Sequence, residues 1–153
     1  MDIAPTPGDS EDGIFRTQRR LAHPPEAVFE AFTRPERLAR WWGPAGFTNT
    51  FEIFEFQPGG RWKYVMHGPE GTHHPNQSVF LEIESPSKTV IQHESKPRYR
   101  LTITLDAHEA GTRITWVQVF EDRAVAARIR PIVEPANEQN LDRLQSHLAG
   151  GQP

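Results

Sequence analysis

The chain has 153 residues, a formal net charge of −3 and no cysteine. This length predicts a single domain, the lack of cysteine excludes disulfides and thiolate metal ligands, and the mixed, mildly acidic charge argues against nucleic-acid binding. No apolar run approaches the roughly 20 residues of a membrane span, and no leader-like segment opens the sequence. We therefore expect a cytoplasmic protein with no nucleic-acid or membrane partner, either a monomer or a homodimer.

The first 13 residues are rich in proline, glycine and acidic side chains. Such a segment buries little apolar surface, so we expect a disordered tail over residues 1–13. Residues 14–22 alternate loosely between apolar and polar side chains, which predicts a first strand at a sheet edge. The folded domain should therefore span residues 14–149, and residues 150–153 should form a second tail.

Two short helices are predicted after this strand. Two adjacent prolines suit the first turn of a helix over residues 23–33, whose apolar residues recur on one face. A second helix runs through Leu38 to the adjacent Trp41 and Trp42, and a glycine-proline turn ends it. Adjacent helical side chains point about 100° apart. We therefore expect one tryptophan in the core and the other at a cavity rim or in a surface patch. The sequence leaves open which of Trp41 and Trp42 is the buried one.

From residue 48 onward the apolar period changes to two, which is typical of strands. Turn-rich segments separate six such runs, at residues 51–56, 61–66, 78–83, 89–94, 99–105 and 112–120. A chain of neighbouring strands of this kind predicts an antiparallel meander. Several runs carry apolar residues on both faces, so we expect the sheet either to curl around an interior or to be covered locally on each side.

The C-terminal part returns to helical spacing. Residues 121–130 predict a first helical piece, which Pro131 and Pro135 should interrupt because proline cannot continue a helix interior. A second, amphipathic helix is predicted from about residue 135 to residue 148. This helix needs an apolar surface to cover, and the concave face of the sheet offers one. The prediction is an α+β fold, with a curved antiparallel sheet wrapped around a long C-terminal helix.

Five segments resemble one known family. The first reads HPPEAVFEAFTRPERLARWWGPAGF, and the others read FQPGGRWKYVMHGPEG, SVFLEIESPSKTVI, GTRITWVQVF and LDRLQSHL. In this order they resemble the family of the activator of the 90-kilodalton heat-shock protein ATPase (homologue 1, C-terminal domain), in the START-like superfamily that includes the birch-pollen allergen. The resemblance covers about residues 14–149 and implies a helix-grip fold with an internal cavity, not ATPase activation.

The chain departs from the family pattern at the start of the last helix. Many relatives carry a Gly-Trp pair there, whereas this chain has Pro135-Ala136-Asn137-Glu138. The prolines are expected to bend or shorten the helix and to reshape the mouth of the pocket.

A cavity of the START-like kind would be walled by aromatic side chains from the strands and the second helix. The candidate ligand-binding residues are Trp41, Trp42, Phe47, Trp62, Tyr64, Met66, Phe80, Trp116, Asn137 and Leu141. The alternative is that the aromatic residues only pack the core. Asn137 either makes a structural hydrogen bond at a helix cap or orients a ligand.

No catalytic or metal-binding motif accompanies these residues. His67, His73, His74 and His93 lack the spacing of a metal site, so we expect solvated loop histidines. Five glutamates on or beside strands are expected to face solvent, although an inward one could act as a general acid or base. These are Glu52, Glu55, Glu82, Glu84 and Glu94. We therefore expect no metal, no cofactor and no catalytic residue.

Three hypotheses for the function result. The first is a non-enzymatic domain that binds a small apolar or amphipathic molecule in an internal cavity. The second is a co-chaperone-like protein–protein module acting in a stress response, which requires an exposed tryptophan in an apolar surface patch. The third is a cyclase-like or hydrolase-like enzyme that uses a buried carboxylate.

Overall fold

A computed structural model describes residues 10–11 and 13–150 of the protein. Most of the predicted N-terminal tail, and residues 151–153 of the C-terminal one, lie outside this part of the chain. Within the N-terminal segment, Ser10–Glu11 form a two-residue strand, β1, that pairs with the strand after it.

The described strands form one antiparallel sheet. Those after β1 are β2 (Ile14–Leu21), β3 (Thr48–Phe54), β4 (Arg61–His67), β5 (His73–Glu84), β6 (Lys88–His93), β7 (Tyr99–His108) and β8 (Gly111–Phe120). Their order is β1-β2-β8-β7-β6-β5-β4-β3, so the predicted six-strand meander is confirmed and β2 joins it by pairing with β8. The predicted edge position of β2 differs from the one observed, which lies one strand inward because β1 covers the outer side of β2.

The alternation of the strands decides which side chains face the interior. On β4 the buried residues are Trp62 and Tyr64, and on β8 they include Trp116 and Gln118, each pair spaced by two. Register shifts interrupt the β3–β4 and β5–β6 pairings. Irregularities of this kind increase local twist, which helps a sheet to curve around what it covers.

Two short helices follow β2, as predicted: α1 (Pro25–Thr33) and α2 (Pro35–Trp41). The buried face of α1 includes Phe29 and Phe32, and α2 buries Leu38 and Trp41, in agreement with the apolar pattern of the sequence. Both helices therefore pack inward and close one end of the sheet.

The last helix, α3 (Arg123–Leu148), is continuous over 26 residues, so the predicted interruption is wrong. Proline in a helix interior costs about 3 kcal/mol because it removes a hydrogen bond and crowds the preceding turn. Pro131 and Pro135 are both exposed, whereas Leu141 and Leu144 are buried against the rest of the fold. Tertiary packing on one side of α3 thus outweighs the backbone preference on the other.

Ion pairs join α3 to strand β2 of the sheet. The Arg19 guanidinium on β2 lies 3.0 Å from a Glu138 carboxylate oxygen and 2.6 Å from one of Asp142. Thr17 donates a further hydrogen bond to Glu138. The observed architecture is the predicted helix-grip α+β fold. None of the described helices combines the length and the apolar character of a membrane span.

Candidate ligand-binding cavity

A cavity of about 210 Å³, which is partly open to solvent and which we call the inner cavity, lies between the concave face of the sheet and α3. Its wall combines the turn after α2, strands β4, β7 and β8, and the middle of α3. The lining residues are Trp42, Gly43, Pro44, Tyr64, Met66, Pro97, Tyr99, Leu101, Trp116, Gln118, Phe120, Ile129, Val133, Ala136, Asn137 and Asn140. None of these described side chains is charged.

The two adjacent tryptophans are both buried, with 1% of Trp41 and 5% of Trp42 exposed. Trp41 packs edge-to-face on Phe32, with ring centroids 4.9 Å apart, and its Nε1 donates to the Ala31 carbonyl oxygen. Trp42 turns instead into the inner cavity. The prediction of one core tryptophan and one at a cavity is therefore consistent with the geometry, whereas the surface-patch alternative is wrong.

Trp42 lies at the centre of an aromatic cluster. Its ring centroid is 5.0 Å from that of Trp62 and 5.6 Å from that of Trp116. Trp62 in turn stacks on Tyr64 with centroids 4.3 Å apart. Edge-to-face pairs such as Trp42–Trp62 and stacked pairs such as Trp62–Tyr64 are the arrangements that aromatic rings prefer. The cluster thus forms a rigid wall on one side of the inner cavity.

Polar contacts from α3 hold the Trp42 turn in place. Arg143 Nη1 donates to the carbonyl oxygens of Trp42, Gly43 and Pro44 at 3.0–3.1 Å, and its Nη2 donates to the carbonyl of Arg40 at 2.8 Å. The buried Asn140 donates to the Trp41 carbonyl at 2.9 Å. These carbonyls belong to the last turn of α2 and to the turn after it, and the Trp42 carbonyl also accepts from Asn49 Nδ2 on β3 at 2.9 Å. Side chains of both α3 and β3 therefore hold the Trp42 turn.

The polar groups of the inner cavity are neutral. Asn137 Nδ2 donates to Gln118 Oε1 at 2.9 Å, so Asn137 makes no helix cap. Burial raises the pKa of Tyr64 well above its ordinary value, and the neighbouring Trp42 and Ser78 side chains only partly offset this. Burial, followed by the proximity of Tyr64, likewise raises the pKa of Tyr99. Both phenols therefore keep their protons and act as neutral groups.

The inner cavity brings together half of the predicted site residues: Trp42, Tyr64, Met66, Trp116 and Asn137. The others lie elsewhere. Trp41, Trp62, Phe80 and Leu141 are buried in the core behind the wall. Phe47 is half-buried on the outer side of the turn, with its ring centroid 6.0 Å from that of His74.

Sequence reasoning missed several cavity residues. Tyr99 and Leu101 lie on either side of Arg100 on β7, and Gln118 lies between Trp116 and Phe120 at the same spacing of two, so strand alternation is the signal that could have found them. Ile129 and Val133 belong to the part of α3 for which an interruption is predicted. No sequence signal marks Arg143, because its partners are backbone carbonyls about a hundred positions away.

A second and larger depression, which we call the outer cleft, adjoins the inner cavity. Its volume is about 430 Å³, and it lies between the β6–β7 loop and the first turns of α3. The two spaces share Pro97, Phe120 and Ile129 as walls. Charged side chains surround the cleft, including Lys96 and an ion pair in which Arg98 Nε lies 3.1 Å from Glu121 Oε2. The outer cleft therefore has a charged rim and adjoins a space whose described lining is uncharged.

No carboxylate or histidine is among the described residues that line the inner cavity. The five strand glutamates lie outside its lining, and two of them pair with lysines, Glu52 with Lys63 and Glu82 with Lys88. Within residues 13–150, no three His, Asp or Glu side chains are placed to hold a metal ion.

His93 differs from the predicted solvated loop histidine. It ends β6 with 3% of its surface exposed, its ring stacks on Tyr99 at 4.4 Å, and its nitrogens lie 2.9 Å from the Pro97 carbonyl and 2.6 Å from Asn76 Oδ1. The pairing of β6 with β7 places His93 directly opposite Tyr99, so the two rings lie against each other. Burial lowers the pKa of His93, and hydrogen bonds to the backbone of Pro97 and Ser95 offset this only in part.

Replacing His93 by glutamine should reduce the loss in the free energy of unfolding that acidification causes. The folded pKa lies below the unfolded value, so the stability contributed by neutral His93 is present above about pH 6.5 and is lost as pH falls toward the folded pKa. Urea unfolding at about pH 7.5 and about pH 5.5 should show a smaller decrease for His93→Gln than for the wild type. Burial also lowers the pKa of His147. Part of the decrease in unfolding free energy at low pH should therefore remain in His93→Gln.

The matched control is His74→Gln, because His74 is exposed. It should retain the wild-type decrease in unfolding free energy. An equal decrease in the wild type and in His93→Gln would contradict the assigned role of His93.

Comparison with known proteins places the chain in a family. A family profile described as activator of Hsp90 ATPase homolog 1-like protein matches residues 22–149. No protein of curated function matches the sequence.

Solved structures of similar fold come from several bacteria. A solution structure of a protein from Arthrobacter aurescens is 25% identical, with a TM-score of 0.84 over 93% of this chain and 89% of the other. A crystal structure from Nitrosomonas europaea is 22% identical, with a TM-score of 0.84 over 93% and 97%. The AHSA1 protein of Silicibacter pomeroyi is 20% identical, with a TM-score of 0.72 over 89% and 97%. The match over residues 22–149 and this shared fold lead to one conclusion: the chain belongs to the family of activator of Hsp90 ATPase homolog 1-like proteins.

Proposed function

We propose that the protein binds a small, uncharged and largely apolar molecule in the inner cavity and does not transform it. The observation that carries this proposal is a cavity walled by Trp42, Tyr64 and Trp116 with no charged side chain in its described lining. Ligand sites are typically concave and mostly apolar, with a few polar groups that orient the bound molecule. The Asn137–Gln118 pair is such a group.

The volume limits the size of the molecule. Sites for drug-sized ligands span about 300–1,000 Å³, whereas the inner cavity holds about 210 Å³. An apolar cavity of about 150 Å³ engineered in another protein binds benzene. A molecule with one substituted ring therefore matches the inner cavity, and a longer one would extend into the outer cleft.

The outer cleft supplies a route of entry. Phe120 and Ile129 stand between the two spaces, and both are side chains that can change rotamer without breaking a hydrogen bond. Lys96 and Arg98 line the outer cleft only, so their charges do not border the inner cavity. A ligand that enters by this route would pass from the outer cleft, beside Phe120 and Ile129, into the inner cavity.

Family membership supports either a ligand-binding or a chaperone-related domain, and the cavity favours the former. The co-chaperone hypothesis predicts a tryptophan in a surface patch, yet Trp41 and Trp42 are buried. Among the described residues the exposed large apolar side chains lie on three different elements: Leu81 on β5, Val119 on β8 and Ile132 on α3.

A filled cavity should abolish binding. Acetophenone, an uncharged one-ring probe, is titrated into the protein while the intrinsic tryptophan fluorescence is followed. Trp42 and Trp116 line the inner cavity, so their emission reports occupancy. Ala136 on α3 also lines the inner cavity, and in Ala136→Phe the phenyl ring should fill the cavity. We expect saturable binding to the wild type and at least about a tenfold loss in Ala136→Phe.

The control is Ala127→Phe, which adds the same ring at an exposed position of the same helix. It should bind acetophenone as the wild type does, and thermal unfolding should confirm that both variants are folded. The proposal fails if the wild type shows no saturable change, or if Ala136→Phe and Ala127→Phe bind the probe equally.

A further inference from the structure

Two histidines meet on the convex face of the sheet. His67 ends β4 and His73 begins β5, so both belong to strands, whereas the sequence predicts loop positions. The β4–β5 register places the two residues directly opposite each other. By strand alternation His67 points away from Trp62 and Tyr64, which face the interior. The histidine pair is therefore separate from the inner cavity.

The two imidazole rings are in direct contact at the surface. Their Nδ1 atoms lie 2.7 Å apart, and their ring centroids lie 4.9 Å apart. His73 is exposed and His67 is half-buried, so solvent reaches the pair. One of the two nitrogens carries a proton and donates it to the lone pair of the other. An ion that accepts lone pairs from both nitrogens can take the place of this shared proton.

A residue of a third strand bonds the other side of the His67 ring. Thr50 Oγ1 on β3 lies 2.8 Å from His67 Nε2. When Nε2 carries the proton and donates to Thr50, the lone pair of His67 Nδ1 is free. A histidine that binds a metal almost always donates its other ring N–H in this way, which fixes the tautomer and the orientation of the ring. Thr50 therefore supports His67 as a metal ligand.

The distance between the two nitrogens favours one coordination geometry. Metal–imidazole bonds are about 2.0–2.1 Å long. Neighbouring ligand nitrogens then lie about 2.8–3.0 Å apart on a square-planar ion and about 3.3–3.4 Å apart on a tetrahedral one. The observed 2.7 Å is closer to the square-planar value. Cu²⁺ and Ni²⁺ adopt this geometry with nitrogen and oxygen ligands, and Cu²⁺ binds more tightly than Ni²⁺.

We infer that His67 and His73 form a surface site for a divalent ion of the copper type, with their Nδ1 atoms at neighbouring corners of a square plane. Each ring must turn so that its lone pair points beside the other nitrogen instead of at it. Water fills the remaining positions, since no third His, Asp or Glu of the described part of the chain joins the pair. The inference does not rest on the proposed function, because the site lies on the opposite face of the sheet.

Copper titration tests the inference. Cu²⁺ is supplied as its bis-glycine complex at about pH 7.5, where an ordinary imidazole is neutral, so that glycine competes with weak sites. We expect saturable binding, and pulsed electron paramagnetic resonance of the wild type should show two imidazole nitrogens on the bound ion. His67→Gln and His73→Gln should each weaken binding by at least about tenfold, since loss of a supporting group alone typically costs 10–100-fold.

His74→Gln is the matched control. His74 is the next residue after His73 and is also exposed, but its Nε2 contacts Thr72 Oγ1 and not another imidazole. This variant should bind copper as the wild type does. Thr50→Val should weaken binding because it removes the acceptor of His67 Nε2, and Thr50→Ser, which keeps the hydroxyl, should restore it.

Three results would overturn the inference. The first is a wild-type spectrum with fewer than two imidazole nitrogens on the ion, a measurement that needs no variant. The second is wild-type affinity in either His67→Gln or His73→Gln, because copper would then bind elsewhere on the chain. The third is an equal loss in His74→Gln, which would indicate diffuse binding to surface histidines. None of these results bears on acetophenone binding, so the proposed function stands or falls separately.

Discussion

Alanine in place of Gly60 should lower the free energy of unfolding by about 3–5 kcal/mol, the upper range of single substitutions. A Cβ atom at this position would lie 1.9 Å from the carbonyl oxygen of Glu55 and 2.9 Å from that of Gln57. Both obstacles are backbone atoms, so no side-chain rotation relieves the overlap. Urea unfolding followed by tryptophan fluorescence measures the loss.

The expected effect is large because the turn is tied on both sides. Gly60 N donates to the Gln57 carbonyl at 2.8 Å, and the Gly60 carbonyl accepts from Phe80 N at 2.9 Å. Moving Gly60 away from Glu55 therefore disturbs the β3–β4 turn and its contact with β5 together. Those strands carry Trp62 and Phe80 of the aromatic cluster.

The neighbouring Gly59 provides the control. It has a φ of +82°, and nothing lies within 4 Å of a Cβ atom added there. Gly59→Ala should therefore cost only the left-handed backbone penalty, about 1–2 kcal/mol. A loss in Gly60→Ala no greater than that in Gly59→Ala would show that the turn relaxes and that the overlap does not control stability.

The fold could be predicted from the sequence because its main signals are local. The period of two in β4 and β8 suffices to place Trp62 with Tyr64 on one face of β4, and Trp116 with Gln118 on one face of β8. The predicted helix interruption is wrong for the opposite reason. Backbone preference at a proline is a local signal, but the packing that overrides it in α3 comes from strands far away in the chain.

The site could be predicted only in part. Whether a residue lines the inner cavity depends on distances between side chains in the folded protein, and the spacing of residues in the sequence does not encode those distances. Trp42 and Trp62 lie 5.0 Å apart between ring centroids, yet only Trp42 of the two borders the inner cavity. The burial of His93 escapes the sequence because its stacking on Tyr99 arises from the pairing of two strands. Periodicity identifies the concave face, whereas the shape of the cavity within it is a tertiary property.

Arg143→Met should destabilise the protein by about 1.5–3 kcal/mol, the range for hydrogen bonds to a charged group. Arg143 donates to four backbone carbonyls at the end of α2 and in the Trp42 turn. Burial lowers the pKa of Arg143, and this desolvation is tolerated because the carbonyls replace water around the guanidinium. Methionine keeps much of the apolar stem and leaves those carbonyls with fewer partners. Urea unfolding measures the difference from the wild type.

Arg128→Met is the control, since Arg128 is exposed on the same helix and its replacement should change the unfolding free energy by less than about 0.5 kcal/mol. Arg143→Lys should lie between the two, because one ammonium cannot reproduce the guanidinium fork. The contacts also position Trp42 in the cavity wall, so Arg143→Met should weaken acetophenone binding under conditions where the variant is folded. Wild-type affinity in that variant would mean that Asn140 and Asn49 hold the Trp42 turn without Arg143, and that Arg143 contributes to stability but not to the shape of the cavity.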